Sequence, residues 1–187
     1  MPVTRDMREW AAGVRAERDQ EFGNYYAVGD ADMREAGELG ELAFDLWLRE
    51  AGCAAHHWET ERVRGAEDFR LGTQRIDIKT VKRAVPMRDT YTAQITAKQG
   101  TEGLTHLVFA TYEVPSSTLL LLGIISVEEF RQSARYYGPG EQVHAKYTVR
   151  DQHGIYNIET RRLTPLRTFL ADLGYPDAPL RAVSFLD

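Results

Sequence analysis

Residues 67–79, Glu-Asp-Phe-Arg-Leu-Gly-Thr-Gln-Arg-Ile-Asp-Ile-Lys, restrict the fold of this chain more than any other stretch. Strand-like runs, 66–71 and 74–81, flank the dipeptide Gly72-Thr73. A two-residue loop with glycine first suits a type II′ hairpin turn, which needs positive φ at its first central residue. The turn then sets the register. Leu71 opposes Gln74, Arg70 opposes Arg75, Phe69 opposes Ile76 and Asp68 opposes Asp77. Directly opposed residues share a face, with Cβ atoms about 5 Å apart. Lys79 lies two residues beyond Asp77, so strand alternation puts it on that face too. A slip of one residue would exchange the faces, and Glu67 competes with Asp68 for the same role.

Two carboxylates placed in this way repel each other, and a divalent cation held by oxygen ligands relieves the repulsion. Two aspartates and a lysine on one face therefore read as a metal-dependent hydrolytic site. Lys79 also has a purely structural role open to it, as a salt bridge across the hairpin. A third carboxylate is offered by the preceding helical stretch, residues 37–48, Gly-Glu-Leu-Gly-Glu-Leu-Ala-Phe-Asp-Leu-Trp-Leu. At about 100° per residue, Glu38, Asp45 and Arg49 fall on its polar face. Glu41 falls at the edge of the apolar arc, in a row with Gly37, Phe44 and Leu48. It is expected to point across the hairpin, with Gly37 and Gly40 permitting close packing.

Composition bounds the setting. The chain has 187 residues, 43% of them hydrophobic, which suits one domain with a small appendage. Residues 1–29 are expected to be a helical extension and residues 30–187 the domain. The longest apolar run, 119–125, is too short to span a bilayer, and the first residues carry no apolar signal region. The single cysteine, Cys53, excludes an internal disulfide and suits a reducing compartment, so a cytoplasmic location is expected. The net charge of −5 is unevenly spread. Residues 1–61 carry 6 Lys and Arg against 14 Asp and Glu, and residues 99–187 carry 8 against 10. Residues 62–98 carry 9 against 4: Arg62, Arg64, Arg70, Arg75, Lys79, Lys82, Arg83, Arg88 and Lys98 are the basic ones. A basic surface around a metal site suits a phosphodiester backbone. A solvated face with clustered charge accounts for the numbers equally well.

The element pattern is α/β. Helices are expected at 6–19 and from Asp30, as N-cap, to Gly52. Strands are expected at 53–59, in the hairpin, and at 91–97. The continuous apolar runs 105–113 and 118–126 read as central strands covered on both faces. Ser126 should cap a helix reaching 136. Short strands follow at 143–149 and 155–159, and Thr164-Pro165 should open a last helix through 173. The result is a mixed sheet with helices on its faces. No glycine-rich phosphate loop, zinc spacing or nucleophile triad is present. His56 and His57 are adjacent on a strand, so they face opposite ways and are assigned to structure.

The order helix Glu41, then Asp68, then Asp77-Ile78-Lys79 resembles the PD-(D/E)xK nuclease superfamily, to which restriction endonucleases and Holliday-junction resolvases belong. The resemblance covers residues 30–135. Glu67 replaces the family's proline, and Asp77 the commoner glutamate. The resemblance implies a restriction-endonuclease-like fold, a mixed sheet flanked by helices with an αβββαβ core. It also implies an endonuclease that hydrolyses DNA phosphodiester bonds with metal-activated water. Asp68, Asp77, the Ile78 carbonyl and Glu41 would then hold Mg²⁺, for which Mn²⁺ substitutes. Lys79 would orient the water or stabilise developing charge. Lys82, Arg83, Gln94 and Lys98 would contact the nucleic acid, though for Gln94 an ordinary strand role is the favoured reading. DNA is the expected partner; RNA and a homodimer stay open. The alternative is a nuclease-fold module that binds nucleic acid or protein without cutting.

Overall fold

A computed structural model describes residues 1–22, 35–59, 67–88, 90–145, 147–150 and 152–178. Two helices come first, α1 (Arg5–Phe22) and α2 (Glu35–Glu50). Six strands follow: β1 (His56–Trp58), β2 (Phe69–Leu71), β3 (Gln74–Arg83), β4 (Thr92–Thr96), β5 (His106–Glu113) and β6 (Thr118–Ser126). Then come α3 (Val127–Ser133), β7 (Arg135–Tyr137), β8 (Gln142–His144), β9 (Tyr147–Thr148), β10 (Ile155–Glu159), a 3₁₀ turn (Thr160–Arg162) and α4 (Leu166–Asp172).

The hairpin forms in the register its turn demands. Phe69 pairs with Ile76, Arg70 with Arg75 and Leu71 with Gln74. Gly72 has φ of +59°, as the first central position of a type II′ turn requires. β1 pairs antiparallel with β2, β3 parallel with β5, and β5 antiparallel with β6, giving a mixed sheet of order β1-β2-β3-β5-β6. A second sheet has the order β4-β10-β7, and β8 and β9 form a separate ladder.

β5 shows why its residues 107–110 are apolar without alternation. Val108 packs with Phe44 and Leu48 of α2 and Phe169 and Leu170 of α4. Its neighbours Leu107 and Phe109 pack on the other side, with Phe130 of α3 and with Ala93, Ile95 and Ile158 of the second sheet. Both faces are covered, so alternation disappears. β6 was expected to be central for the same reason, but it is the last strand of its sheet. Its two faces are covered while its outer edge is closed by chain segments. Leu119 N–H donates to the Met1 carbonyl at 2.8 Å, and Ile124 and Thr164 exchange backbone hydrogen bonds at 2.9 and 2.8 Å. Thr164 thus pairs with the sheet, and Pro165 alone precedes α4. A Cβ at Gly123 would lie 2.7 Å from Leu163 Cβ and 2.8 Å from the Thr164 carbonyl, so only glycine lets that segment close the edge.

Three other expectations change. An αβββαβ core places a helix between its third strand and the parallel partner, whereas the β3-to-β5 connection here carries β4. Its β-branched Thr92, Ile95 and Thr96 favour a strand, which finds β10 as its partner. α3 is capped as expected, with Ser126 Oγ accepting from Glu129 N–H at 3.1 Å, but it ends at Ser133 and the chain turns into β7. α2 begins at Glu35 among the described residues, and the expected cap Asp30 lies outside them. α1 is longer than expected and shares a core with α2: Ala11 packs with Ala36, Leu39, Ala43, Val3 and Leu119. Among the described residues no helix is long and apolar enough to cross a membrane.

α2 meets β3 closely at one point. A Cβ on Gly40 would overlap Thr80 Oγ1 and lie 3.1 Å from Thr80 Cβ, while a Cβ on Gly37 would meet nothing within 4 Å. The two glycines therefore give opposite predictions. Gly37→Ala should stabilise the chain by up to about 1 kcal/mol through helix propensity. Gly40→Ala should cost about 1–3 kcal/mol through overpacking, with recovery in the Gly40→Ala/Thr80→Ala pair. Urea unfolding of the three variants checks this, and a stabilising Gly40→Ala would contradict it.

Candidate carboxylate site at the mouth of the hairpin

The β2–β3 ladder opens at Asp68, one residue before β2. Asp68 N–H still donates to the Ile76 carbonyl at 2.9 Å, but the next ladder position is taken by the side chain: Asp68 Oδ2 accepts from Ile78 N–H at 2.6 Å. The carboxylate is thereby fixed in the gap where the two strands part. Asp77 follows on β3, 8% exposed, and Lys79 Nζ sits 2.5 Å from its Oδ2.

Glu41 reaches this region from α2. Its Oε1 and Oε2 each accept from one Nη of Arg18 at 3.1 Å, and Trp58 Nε1 donates to Oε2 at 3.3 Å. The Asp68 carboxyl registers the convergence. Burial raises its pKa well above the ordinary aspartate value, and the charges of Asp77 and Glu41 raise it further. Lys79 and the Ile78 N–H oppose the shift without cancelling it. Glu41, Asp77 and Lys79 are thus each within electrostatic reach of Asp68.

Glu67 takes a different place. It is buried, and both of its oxygens are held by arginines opposed across the hairpin. Arg70 binds Oε1, and Arg75 Nε and Nη2 bind Oε2 at 3.0 and 2.8 Å. Burial pushes its pKa up, but hydrogen bonds from Arg70, its own N–H and Arg75 bring it down to about 2. Glu67 is therefore not in competition with Asp68. Part of the basic block answers this internal carboxylate. Arg62 and Arg64 lie outside the described residues.

The residues expected to meet nucleic acid are spread out. Lys82 is half-buried on β3, and Lys98 is exposed in the turn after β4. Arg83 donates to the Thr92 carbonyl at 2.7 Å and lies 5.0 Å over the Tyr91 ring, and burial lowers its pKa. Gln94 sits in the second sheet and donates to Tyr147 Oη at 3.4 Å. His56 is structural in its contacts, with Nδ1 2.6 Å from the Cys53 carbonyl and Nε2 2.7 Å from Asp45 Oδ1.

Sequence reasoning missed Arg18 and Glu38. Glu38 was placed on a polar face, yet it is only 1% exposed because α1 covers it. Its Oε1 accepts from Arg18 Nη1 at 3.0 Å and Arg15 Nη1 at 3.4 Å, while Oε2 is buried with no hydrogen-bond partner among the described residues. Burial raises the Glu38 pKa, against the pull of its own N–H and of Arg18. A signal was present: Arg15 and Arg18 are three apart on α1, and Glu38 and Glu41 three apart on α2. Residues at that spacing share a helix face.

The donor set suits a hard divalent cation. The Asp68 and Asp77 carboxylates and the Ile78 carbonyl are oxygen ligands, and the repulsion that raises the Asp68 pKa is what such a cation relieves. Among the described residues no three His, Cys, Asp or Glu side chains form a closed metal-binding group. Glu41, the natural third member, has both oxygens on Arg18 instead. In comparisons with known proteins, no family model, curated protein or solved structure matches the chain.

The raised Asp68 pKa has a sign that can be checked. The native state holds a proton that the unfolded chain releases, so Asp68 lowers stability as pH rises above the ordinary aspartate value of about 4. Asp68→Asn removes the charge and keeps an oxygen for Ile78 N–H. In metal-free buffer its Tm should exceed that of the wild type at pH 7, and the gap should close on acidification below about pH 4. A gap that widens on acidification would contradict this account of the site.

Proposed function

We propose that this chain is a divalent-metal-dependent endonuclease of restriction-endonuclease-like fold that hydrolyses DNA phosphodiester bonds. One observation carries the reading: at the mouth of the hairpin Asp68 is fixed by the Ile78 N–H beside the Asp77–Lys79 pair, and the charge of Glu41 also reaches Asp68. The mixed sheet, with β3 parallel to β5 and α2 across it, supports the fold assignment. The β4 connection is the departure from the family's core.

In this reading Asp68, Asp77 and the Ile78 carbonyl hold Mg²⁺ or Mn²⁺, which when bound supplies an acidified water and positive charge against the phosphate. The chain's own groups do the rest. Asp68 is fixed by the Ile78 N–H, so its remaining oxygen has a defined direction. The Lys79 ammonium, held beside Asp77, donates to the attacking water or to a phosphate oxygen as negative charge develops. Glu41 is positioned to hold a water once its oxygens are released. Lys82 and Lys98 offer charge to the backbone of the substrate, where contacts position the duplex without reading its sequence.

The second reading, a nuclease-fold module that binds without cutting, is favoured by one observation, the engagement of Glu41 by Arg18. Supercoiled plasmid separates the two. With Mg²⁺ or Mn²⁺ the wild type should nick or linearise it, and Asp77→Asn and Lys79→Ala should each slow the reaction by about 100-fold or more. Equal rates in all three proteins would reject the proposed site. Retained DNA binding with no cleavage by the wild type would favour the module.

A further inference from the structure

We infer that Arg18 is a positioning residue of the carboxylate site, held on Glu41 and exchanged out when a divalent cation binds. The inference rests on the metal-site reading above and extends it to the N-terminal helix.

Three observations carry it. First, the geometry is a fork: Nη1 and Nη2 of Arg18 each donate to a different oxygen of Glu41 at 3.1 Å. A carboxylate gripped on both oxygens, with Trp58 Nε1 also on Oε2, presents fewer open lone pairs to a metal or its water. Second, Arg18 is shared. Its Nη1 also donates to Glu38 Oε1 at 3.0 Å, and its charge is felt by Asp68. One guanidinium thus answers the acidic groups that border the Asp68–Asp77 pair. A guanidinium keeps its proton under all ordinary conditions, so its charge cannot be turned off by titration. A divalent ion at Asp68 and Asp77 brings like charge against it and weakens its hold on Glu41. Third, Glu38 Oε2 is buried and unpartnered among the described residues. The Glu38 carboxylate that Arg18 contacts therefore keeps one acceptor atom that the guanidinium does not fill.

α1 is suited to such an exchange. Its hold on the domain is concentrated in Ala11, which is fully buried, and in the Trp10–Trp58 ring contact, with centroids 5.6 Å apart. Both lie at least one helical turn before Arg18, so the arginine can leave Glu41 while those contacts stay. The bland alternative is a static clamp, in which the ion pairs only fasten α1 to α2. Breaking a buried pair would then destabilise the chain and do nothing to favour metal.

Mn²⁺ titration by calorimetry, on the full chain, decides between them. The proteins are wild type, Arg18→Gln, Arg18→Lys and Asp77→Asn. Exchange predicts that Arg18→Gln lowers the metal-free Tm yet binds Mn²⁺ about tenfold more tightly than wild type. Arg18→Lys keeps the charge but cannot fork both oxygens, so its affinity should fall between the two. If Arg18→Gln fails to fold, the tightening in Arg18→Lys carries the test. Loss of binding in Asp77→Asn, with unchanged or weaker affinity in both Arg18 variants, would overturn the exchange and leave the metal site standing. Tightening in Arg18→Gln alone, with Arg18→Lys equal to wild type, would overturn it as well, because a long-range field explains that result. Undiminished Mn²⁺ binding in Asp77→Asn, or none in any protein, would remove the site and the exchange with it.

Discussion

Glu38, Glu41, Asp68 and Asp77 crowd negative charge into a region from which most water is excluded, and the surrounding structure is arranged to answer it. An unpaired buried carboxylate costs several kcal/mol, or else takes up a proton. Each of the four meets a different reply. Asp77 has Lys79, Asp68 has the Ile78 N–H, and Glu41 and Glu38 share Arg18. The replies come from two elements, β3 for the first two and α1, reaching across to α2, for the others. Glu38 and Asp68 both stay under-compensated, and at Asp68 the neighbouring charges of Asp77 and Glu41 add to the burial, so a further positive charge would be most welcome there.

The arrangement explains why α1 belongs to the fold. Beside the apolar contacts of Met7, Ala11 and Trp10, the helix is oriented by its ion pairs with α2. Buried pairs contribute little net stability but strongly resist being broken one partner at a time. They therefore fix where α1 lies without fastening it as a hydrophobic interface would. The Gly40–Thr80 approach plays the complementary part, setting how near Glu41 comes to the hairpin.

What the sequence revealed was local. Gly72-Thr73 dictates a turn, and the turn dictates that Asp68 and Asp77 are opposed, because strand periodicity leaves no other register with Phe69 and Ile76 inside. Helical phase likewise marked Glu41, and the neighbouring Gly37 and Gly40 were both expected to allow close packing, of which only Gly40 meets β3. What escaped was set by residues distant in sequence. Glu38 and Asp45 look solvent-facing on a helical wheel, but Arg18 stands twenty residues before the first and His56 eleven after the second. The same holds for the strands. β4 finds its partner in β10, more than sixty positions away, so its membership of a second sheet was invisible. β6 reads as central because both its faces are covered, and only the segments at Met1 and Thr164 reveal it as an edge. Glu67 looked like a rival ligand until Arg70 and Arg75, opposed across the hairpin, were seen to close on it.

The central claim is that Asp68 and Asp77 hold a divalent cation between the parting strands. Anomalous scattering from crystals grown with Mn²⁺ tests it most directly. The account predicts a manganese peak bonded to both aspartates and the Ile78 carbonyl, with Arg18 withdrawn from Glu41. Well-ordered crystals at saturating Mn²⁺ with no peak there, or with the ion bound only elsewhere on the surface, would contradict it.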